Sequence, residues 1–304
     1  MLARYAQPRP RGWVPAGVAA LAAGLLFAAP ATACDLTVES PEAIRIEYNP
    51  FAIGASSGPL DIVFRNKSDT ACELRLVLID DLDNPLPAIA LGAVVVEFRP
   101  REASGVFRRD AEPGVFLLSV APNGEARAEL DAAVVENAVV EAGDHQADLR
   151  MSVQSIDSEL SFTPIPLHVL LQSTPRAQVN IAGAAGAFGA ESSVEVVDFG
   201  DAVTGTTRRV FVQVRANTRS TLAMKSEHGG VMRHVDMGEK GTVIAYAVEL
   251  NGIPVDLSEP WTGPVDPPRT LDGVSLPMDF TLGEVVGQMS GPYEDLITID
   301  ITPN

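Results

Sequence analysis

Basic residues are scarce in this chain. Lys and Arg number 22 against 40 Asp and Glu, for a net charge of −18. That balance excludes a protein held on nucleic acid by bulk electrostatics, which needs basic patches to match phosphates. It also works against binding to anionic lipid surfaces. Helical periodicity is nearly missing. Only residues 126–140 could carry a short helix, and their valines argue against it. No apolar run after residue 33 is long enough to cross a bilayer. There are two cysteines, and the four histidines, His145, His168, His228 and His234, are not set at metal-ligand spacing. The chain therefore has no clear metal or cofactor signature.

What is present begins with an export signal. Arg4, Arg9 and Arg11 form a positive segment without an acid, residues 14–30 are apolar, and Ala31-Thr32-Ala33 is a small-x-small cleavage site. The apolar run contains Gly and Pro and is short for a membrane anchor, the rival reading. Residues 1–33 are thus expected to be a signal peptide, and their loss removes three arginines and deepens the acidity. The roughly 270 residues that follow suit one large domain or two ordinary ones. Export places Cys34 and Cys72 in an oxidising compartment, where a pair is expected to bridge. Such a bridge would contribute about 4 kcal/mol in the chain-entropy model. The alternative is lipidation. Cys34 directly follows Ala31-Thr32-Ala33, which loosely resembles a lipoprotein box, but Ala31 stands where Leu is usual and Cys72 would be left alone.

Strand signals dominate the rest. Apolar and polar residues alternate in short runs bounded by Gly, Pro, Asn and Asp. Candidate strands cover 60–64, 72–79, 93–98, 115–120, 167–171, 193–197, 209–214, 221–225, 243–250 and 296–301. In the last, Ile297, Ile299 and Ile301 share one face and Thr298, Asp300 and Thr302 the other, the pattern of one buried and one wet face. With 25 Gly and 23 Pro as punctuation, this predicts an all-β chain of sandwiches. Residues 172–178 read as a linker between two sandwich-sized halves, 34–174 and 178–304. Both halves open alike, with a strand and then an aromatic turn: Tyr48-Asn49-Pro50-Phe51 in one, Asp198-Phe199-Gly200 in the other. That is a weak sign of internal duplication.

Several motifs have a bland reading. Gly54-Ala55-Ser56-Ser57-Gly58 matches Gly-x-Ser-x-Gly, but a nucleophile elbow needs a strand-to-helix turn, and this segment lies between two strands. His228 and His234 could face each other across a hairpin, yet no third ligand supports zinc. Asp80-Asp81-Leu82-Asp83-Asn84 lacks the Gly and distal Glu of an EF-hand loop and reads as a solvated turn. Gly183 to Gly189 precedes no helix pattern and so predicts no nucleotide. Residues 86–96 are apolar, which fits a buried strand better than an adhesive loop. No enzyme is expected.

The C-terminal half, residues 179–304, resembles the spore coat protein U domain, used by subunits of archaic chaperone–usher pili. Asp198-Phe199-Gly200, the segment from Leu222 to Gly230, the segment from Ile244 to Gly252 and above all Gly291-Pro292-Tyr293-Glu294-Asp295 with the strand after it carry the resemblance. The N-terminal half is similar only at its opening, through Cys34, Tyr48 to Phe51 and Cys72. Residues 134–161 and the lack of cysteine in the C-terminal half depart from the family. The resemblance implies two immunoglobulin-like sandwiches, the C-terminal one lacking its last strand. A periplasmic chaperone would fill the gap first. The N-terminal extension of a neighbouring pilin would then replace it, at an outer-membrane usher. Leu296, Ile297, Ile299 and Ile301 would border the groove, and no further strand candidate follows them. The N-terminal domain would face outward as an adhesive tip. With cleavage after Ala33, Cys34 opens the mature chain and no extension precedes it to donate. That predicts a subunit that accepts a strand and gives none. The expected route is export to the periplasm and then the cell surface. The alternative is a self-sufficient periplasmic or surface binding protein with two complete sandwiches.

Overall fold

The computed structural model describes residues 34–101, 107–108, 112–135, 138–156, 161–189 and 194–304. The expected signal peptide lies outside them. Among the described residues the regular structure is β, apart from one turn of 3-10 helix at Gly238–Lys240.

The first eleven strands are β1 (Leu36–Glu39), β2 (Ala43–Tyr48), β3 (Ser57–Asn66), β4 (Cys72–Ile79), β5 (Ala88–Leu91), β6 (Val94–Pro100), β7 (Phe107–Arg108), β8 (Val115–Val120), β9 (Glu125–Val134), β10 (Gly143–Ser155) and β11 (Ile165–Ser173). They form two sheets, ordered β1-β3-β9-β6-β5 and β2-β11-β10-β4-β8-β7. Alternation sets the inner faces. Leu60, Ile62 and Phe64 of β3 meet Leu74, Leu76 and Leu78 of β4 in one core, all fully buried. Tyr48, also in that core, keeps its hydroxyl satisfied by donating to the Ala138 carbonyl at 2.7 Å. The chain crosses between sheets at Ser40-Pro41, so β1 pairs β3 antiparallel while β2 pairs β11 in parallel.

The remaining strands are β12 (Ala177–Ala182), β13 (Thr207–Ala216), β14 (Ser220–Ser226), β15 (Val231–His234), β16 (Val243–Leu250), β17 (Ile253–Val255), β18 (Trp261–Val265), β19 (Val274–Leu282), β20 (Tyr293–Glu294) and β21 (Ile297–Pro303). One sheet runs β12-β13-β19-β16-β15-β20, with β17 on β16, and the other is only β18-β14-β21. Between them lies a smaller core of Val212, Val214, Leu222, Met224, Val248, Met278 and Phe280.

The two sets of sheets repeat one topology. β3, β4, β6, β8, β9 and β10 make the same neighbour pairs, in the same chain order, as β13, β14, β16, β18, β19 and β21.

Residues 126–134 lie in strand β9, as their valines indicated. Two expectations change. The presumed linker is mostly strand, with only residues 174–176 between β11 and β12. The expected strand at 193–197 joins no ladder in its described part, residues 194–197; its reason lies in the site below. Residues 86–96 form the β5–β6 hairpin, with Ile89, Leu91, Val94 and Val96 buried.

Candidate functional site

In the first sandwich β10 is shared between two neighbours: β11 pairs its residues 143–151 and β4 its residues 150–155, so both edges are bonded together at Arg150 and Met151, and β11 in turn pairs β2. Leu167, Val169 and Leu171 of β11 and Leu149, Met151 and Val153 of β10 are therefore all buried. In the second sandwich β21 takes the place of β10 beside β14, with Leu222 opposite Ile301 and Met224 opposite Ile299. Among the described residues no strand takes the place of β11. The second edge of β21 has no ladder partner. Residues 194–199, which follow β12 as β2 follows β1, join no ladder among the described residues, though the Asp198 and Phe199 carbonyls accept from Arg208.

The consequence is visible in burial. Ile297, Ile299 and Ile301 pack against the core but stay half-buried, as do Val179 and Ile181 of β12 and Val197 and Phe199. Leu296 precedes the strand and is exposed. β12 and β21 approach each other without hydrogen bonding. An apolar slot thus runs along β21, with unpaired backbone on its rim. Open edges of this kind are templates for a further strand. The opposite edge of the same sheet is guarded. Pro264 removes a donor from β18, and the Trp261 ring covers Gly263 so closely that a Cβ there would sit 2.3 Å from it.

A polar node fixes the start of β21. The Asp295 carboxylate, with its side chain 3% exposed, accepts from Ser226 Oγ at 2.6 Å, Tyr246 Oη at 2.5 Å and the backbone N–H groups of His228 and Leu296 at 3.0 and 2.9 Å. Ser226 Oγ also accepts from Gly230 N at 2.7 Å. Burial, and then the bond to Asp295, push the Tyr246 phenol far above its ordinary pKa. The node ties the end of β14, strand β16 and the start of β21 into one frame, so the slot is preformed. Sequence reasoning singled out the Gly-x-Tyr-x-Asp block but missed the role of Asp295; Ser226 and Tyr246 lie far from it in the chain.

Other candidate residues sit apart from this slot. Cys34 and Cys72 form a disulfide with Cα atoms 5.8 Å apart, tying the start of β1 to β4. Ser56 stands in a strand-to-strand connection, where Gly58 lets β3 pass close to the Arg45 carbonyl. His228 lies 3.3 Å from Asp295 and His234 contacts the Ser290 carbonyl, so the two have different partners. Asp80 turns its carboxylate on Leu82 N, Asn84 N and Asn84 Nδ2, a closed turn, and Asn84 holds its pKa below the ordinary value. Among the described residues there is no cluster of three metal-ligating side chains, and no helix long and apolar enough to cross a membrane.

No protein-family model matches the chain, including any for the spore coat protein U domain, and no curated protein matches it. Solved structures with a similar arrangement include the chaperone–tip adhesion subunit pre-assembly complex of the archaic Csu pili of Acinetobacter baumannii. That chain is 9% identical, with a TM-score of 0.43 over 88% of this chain and 99% of that one. The CupB6 tip adhesin of Pseudomonas aeruginosa is 11% identical, with a TM-score of 0.37 over 88% and 93%. CfaE, the adhesive subunit of CFA/I fimbria of enterotoxigenic Escherichia coli, is 12% identical, with a TM-score of 0.35 over 88% and 94%.

Proposed function

We propose that this chain is an adhesive subunit of a chaperone–usher fimbria, placed at its tip, whose second sandwich is completed by a strand from another chain. One observation carries the reading: among the described residues β21 is the last strand of its sheet, whereas the sheet of the first sandwich continues past its counterpart β10 through β11 and β2. β11 also describes the missing strand. It presents Leu167, Val169 and Leu171 at every second position, runs antiparallel to β10 and parallel to β2. An incoming strand with aliphatic residues at i, i+2 and i+4 would bury Ile297, Ile299, Ile301, Val197 and Phe199. Each fully buried aliphatic side chain contributes about 1.5–3 kcal/mol, and the new ladder satisfies the rim.

In this reading residues 34–174 form the outward, adhesive domain and 178–304 the acceptor domain. A periplasmic chaperone lends the first strand, a neighbouring subunit replaces it at the usher, and the product stands on the cell surface. Cleavage after Ala33 would leave Cys34, held in its disulfide, at the start of the exported chain, as a subunit that receives a strand without giving one requires. The test is periplasmic expression of the exported chain with and without the chaperone of the same organism. A one-to-one soluble complex, with degradation or aggregation of the chain alone, is expected. A stable soluble monomer without the chaperone contradicts the proposal and favours a self-sufficient binding protein.

A further inference from the structure

A second apolar surface lies at the end of the acceptor sandwich where β21 begins. Val235, Met237, Val243 and Met289 are exposed there, the last three 44% each. Val235, Met237 and Met289 sit on two connections, 235–242 between β15 and β16 and 283–292 between β19 and β20, Val243 opens β16, and the connections are locked together. Met289 N donates to Thr242 Oγ1 at 2.9 Å, Tyr293 Oη donates to the Met289 carbonyl at 3.0 Å, and Val235 N donates to the Pro292 carbonyl at 2.9 Å. Buried His234 sets its ring edge on Tyr293, with centroids 5.1 Å apart. Gln288 Nε2 reaches the Val243 carbonyl at 3.3 Å. The side chains are therefore held out on a built frame. Arg233, Asp236, Glu239 and Lys240 put charges of both signs beside them. An apolar centre with a polar rim on a preorganised backbone is the anatomy of a protein interface.

The slot and this surface are continuous. From β20, which pairs β15 at Arg233 and His234, the chain passes through Asp295 and exposed Leu296 directly into β21. The other end of β21 faces the first sandwich. Asn304 N donates to the Arg219 carbonyl, and Asn304 and Thr218 share a cavity of about 320 Å³ with Ala142, Gly143, Gln172 and Ser173 of the first sandwich. At the Leu296 end no described residue of the first sandwich is in the way of a strand that leaves the slot past exposed Leu296. If it runs antiparallel to β21, as β11 does to β10, its C-terminal end emerges there.

We infer that Val235, Met237, Val243 and Met289 seat the folded body of the neighbouring subunit whose strand fills the slot. This inference rests on the strand-acceptor reading above. Two contacts, strand and body, then join consecutive subunits, and the second sets the angle between them.

The test places a photo-crosslinking amino acid at Met289 or, separately, at Thr298 on the exposed face of β21, in the full chain within fibres of the producing organism. Both positions are expected to crosslink to one polypeptide, at an extended segment for Thr298 and in the folded body for Met289. Crosslinking at Thr298 with none at Met289, or with a different protein there, overturns the inference and leaves the acceptor reading standing. No crosslink at Thr298 overturns both. The paired variant M237E/M289E should cut fibre-incorporated chain at least tenfold while leaving disulfide formation and binding of a synthetic donor peptide unchanged. Normal incorporation overturns the inference.

Discussion

Asn217 Nδ2 lies 3.1 Å from Ser173 Oγ, linking the turn after β13 to the last residue of β11. Asn217 is fully buried and every polar group it has is used. Its side-chain oxygen accepts from Arg176 N at 2.7 Å and Nδ2 also donates to the Thr174 carbonyl at 2.9 Å. Its backbone N–H donates to the Arg176 carbonyl, and its carbonyl accepts from Ala142 N. The Arg215 guanidinium adds a second tie, lying 4.8 Å from the Phe51 ring centre and 4.2 Å from that of Phe188. The joint between the two sandwiches is thus polar and specific, with no shared sheet.

Asn217→Leu should therefore separate what it now couples. It strands several buried donors and acceptors, each costing about 1–3 kcal/mol. In urea unfolding followed by near-ultraviolet circular dichroism, a single transition should become two. An unchanged single transition would mean the sandwiches are held by other contacts.

The disulfide should stabilise the first sandwich alone. The Cys34–Cys72 bridge closes a loop of 38 residues, and replacing both cysteines with Ser should cost about 4 kcal/mol in the chain-entropy model. In the Asn217→Leu background, where the two sandwiches unfold separately, hydrogen exchange should accelerate in β1, β3 and β4 and stay unchanged in β13 and β19. Equal acceleration in both sandwiches would contradict this.

Tyr246 gives the second sandwich an alkaline limit. Its phenol is raised above the ordinary value of 10.0 by burial first and by Asp295 second. The folded state then holds the proton more tightly than the unfolded state. The stability this supplies is complete below about pH 10 and is lost as pH rises through the folded value. Tyr246→Phe should flatten the alkaline limb while lowering stability at neutral pH by about 1–3 kcal/mol, since buried Asp295 loses a donor. A wild-type unfolding profile flat between pH 9 and pH 11.5 would count against the buried phenol.

Much of the fold was legible because alternation within one strand is local information. The expected bounds of β4, β8 and β16 coincide with those observed. What could not be read is long-range. The parallel pairing of β2 with β11 joins Ile44 to Val169, and nothing local in either segment announces a partner so distant. Asn217 sits in an ordinary polar turn, Arg-Ala-Asn-Thr, and its burial comes wholly from packing. Asp295 could be placed in a motif but not in its cage, because Ser226 and Tyr246 arrive from other strands. The strand expected at 193–197 has strand-like residues but joins no ladder in its described part; alternation shows that a segment can be a strand and not whether a partner edge is there to receive it.

The proposal that β21 accepts a strand is tested most directly by thermal unfolding of residues 34–304 with a synthetic peptide of the β11 sequence, Ile165–Ser173, or a scrambled control. A ligand at 100 times its dissociation constant adds about 2.7 kcal/mol to the folded state, which in a protein of this size is a rise in Tm of about 5 °C or more. The peptide should produce that rise and the scrambled control should not, and Ile299→Asp should abolish it. Equal Tm with both peptides, at millimolar concentration, would mean the edge of β21 accepts no strand and would contradict the central claim.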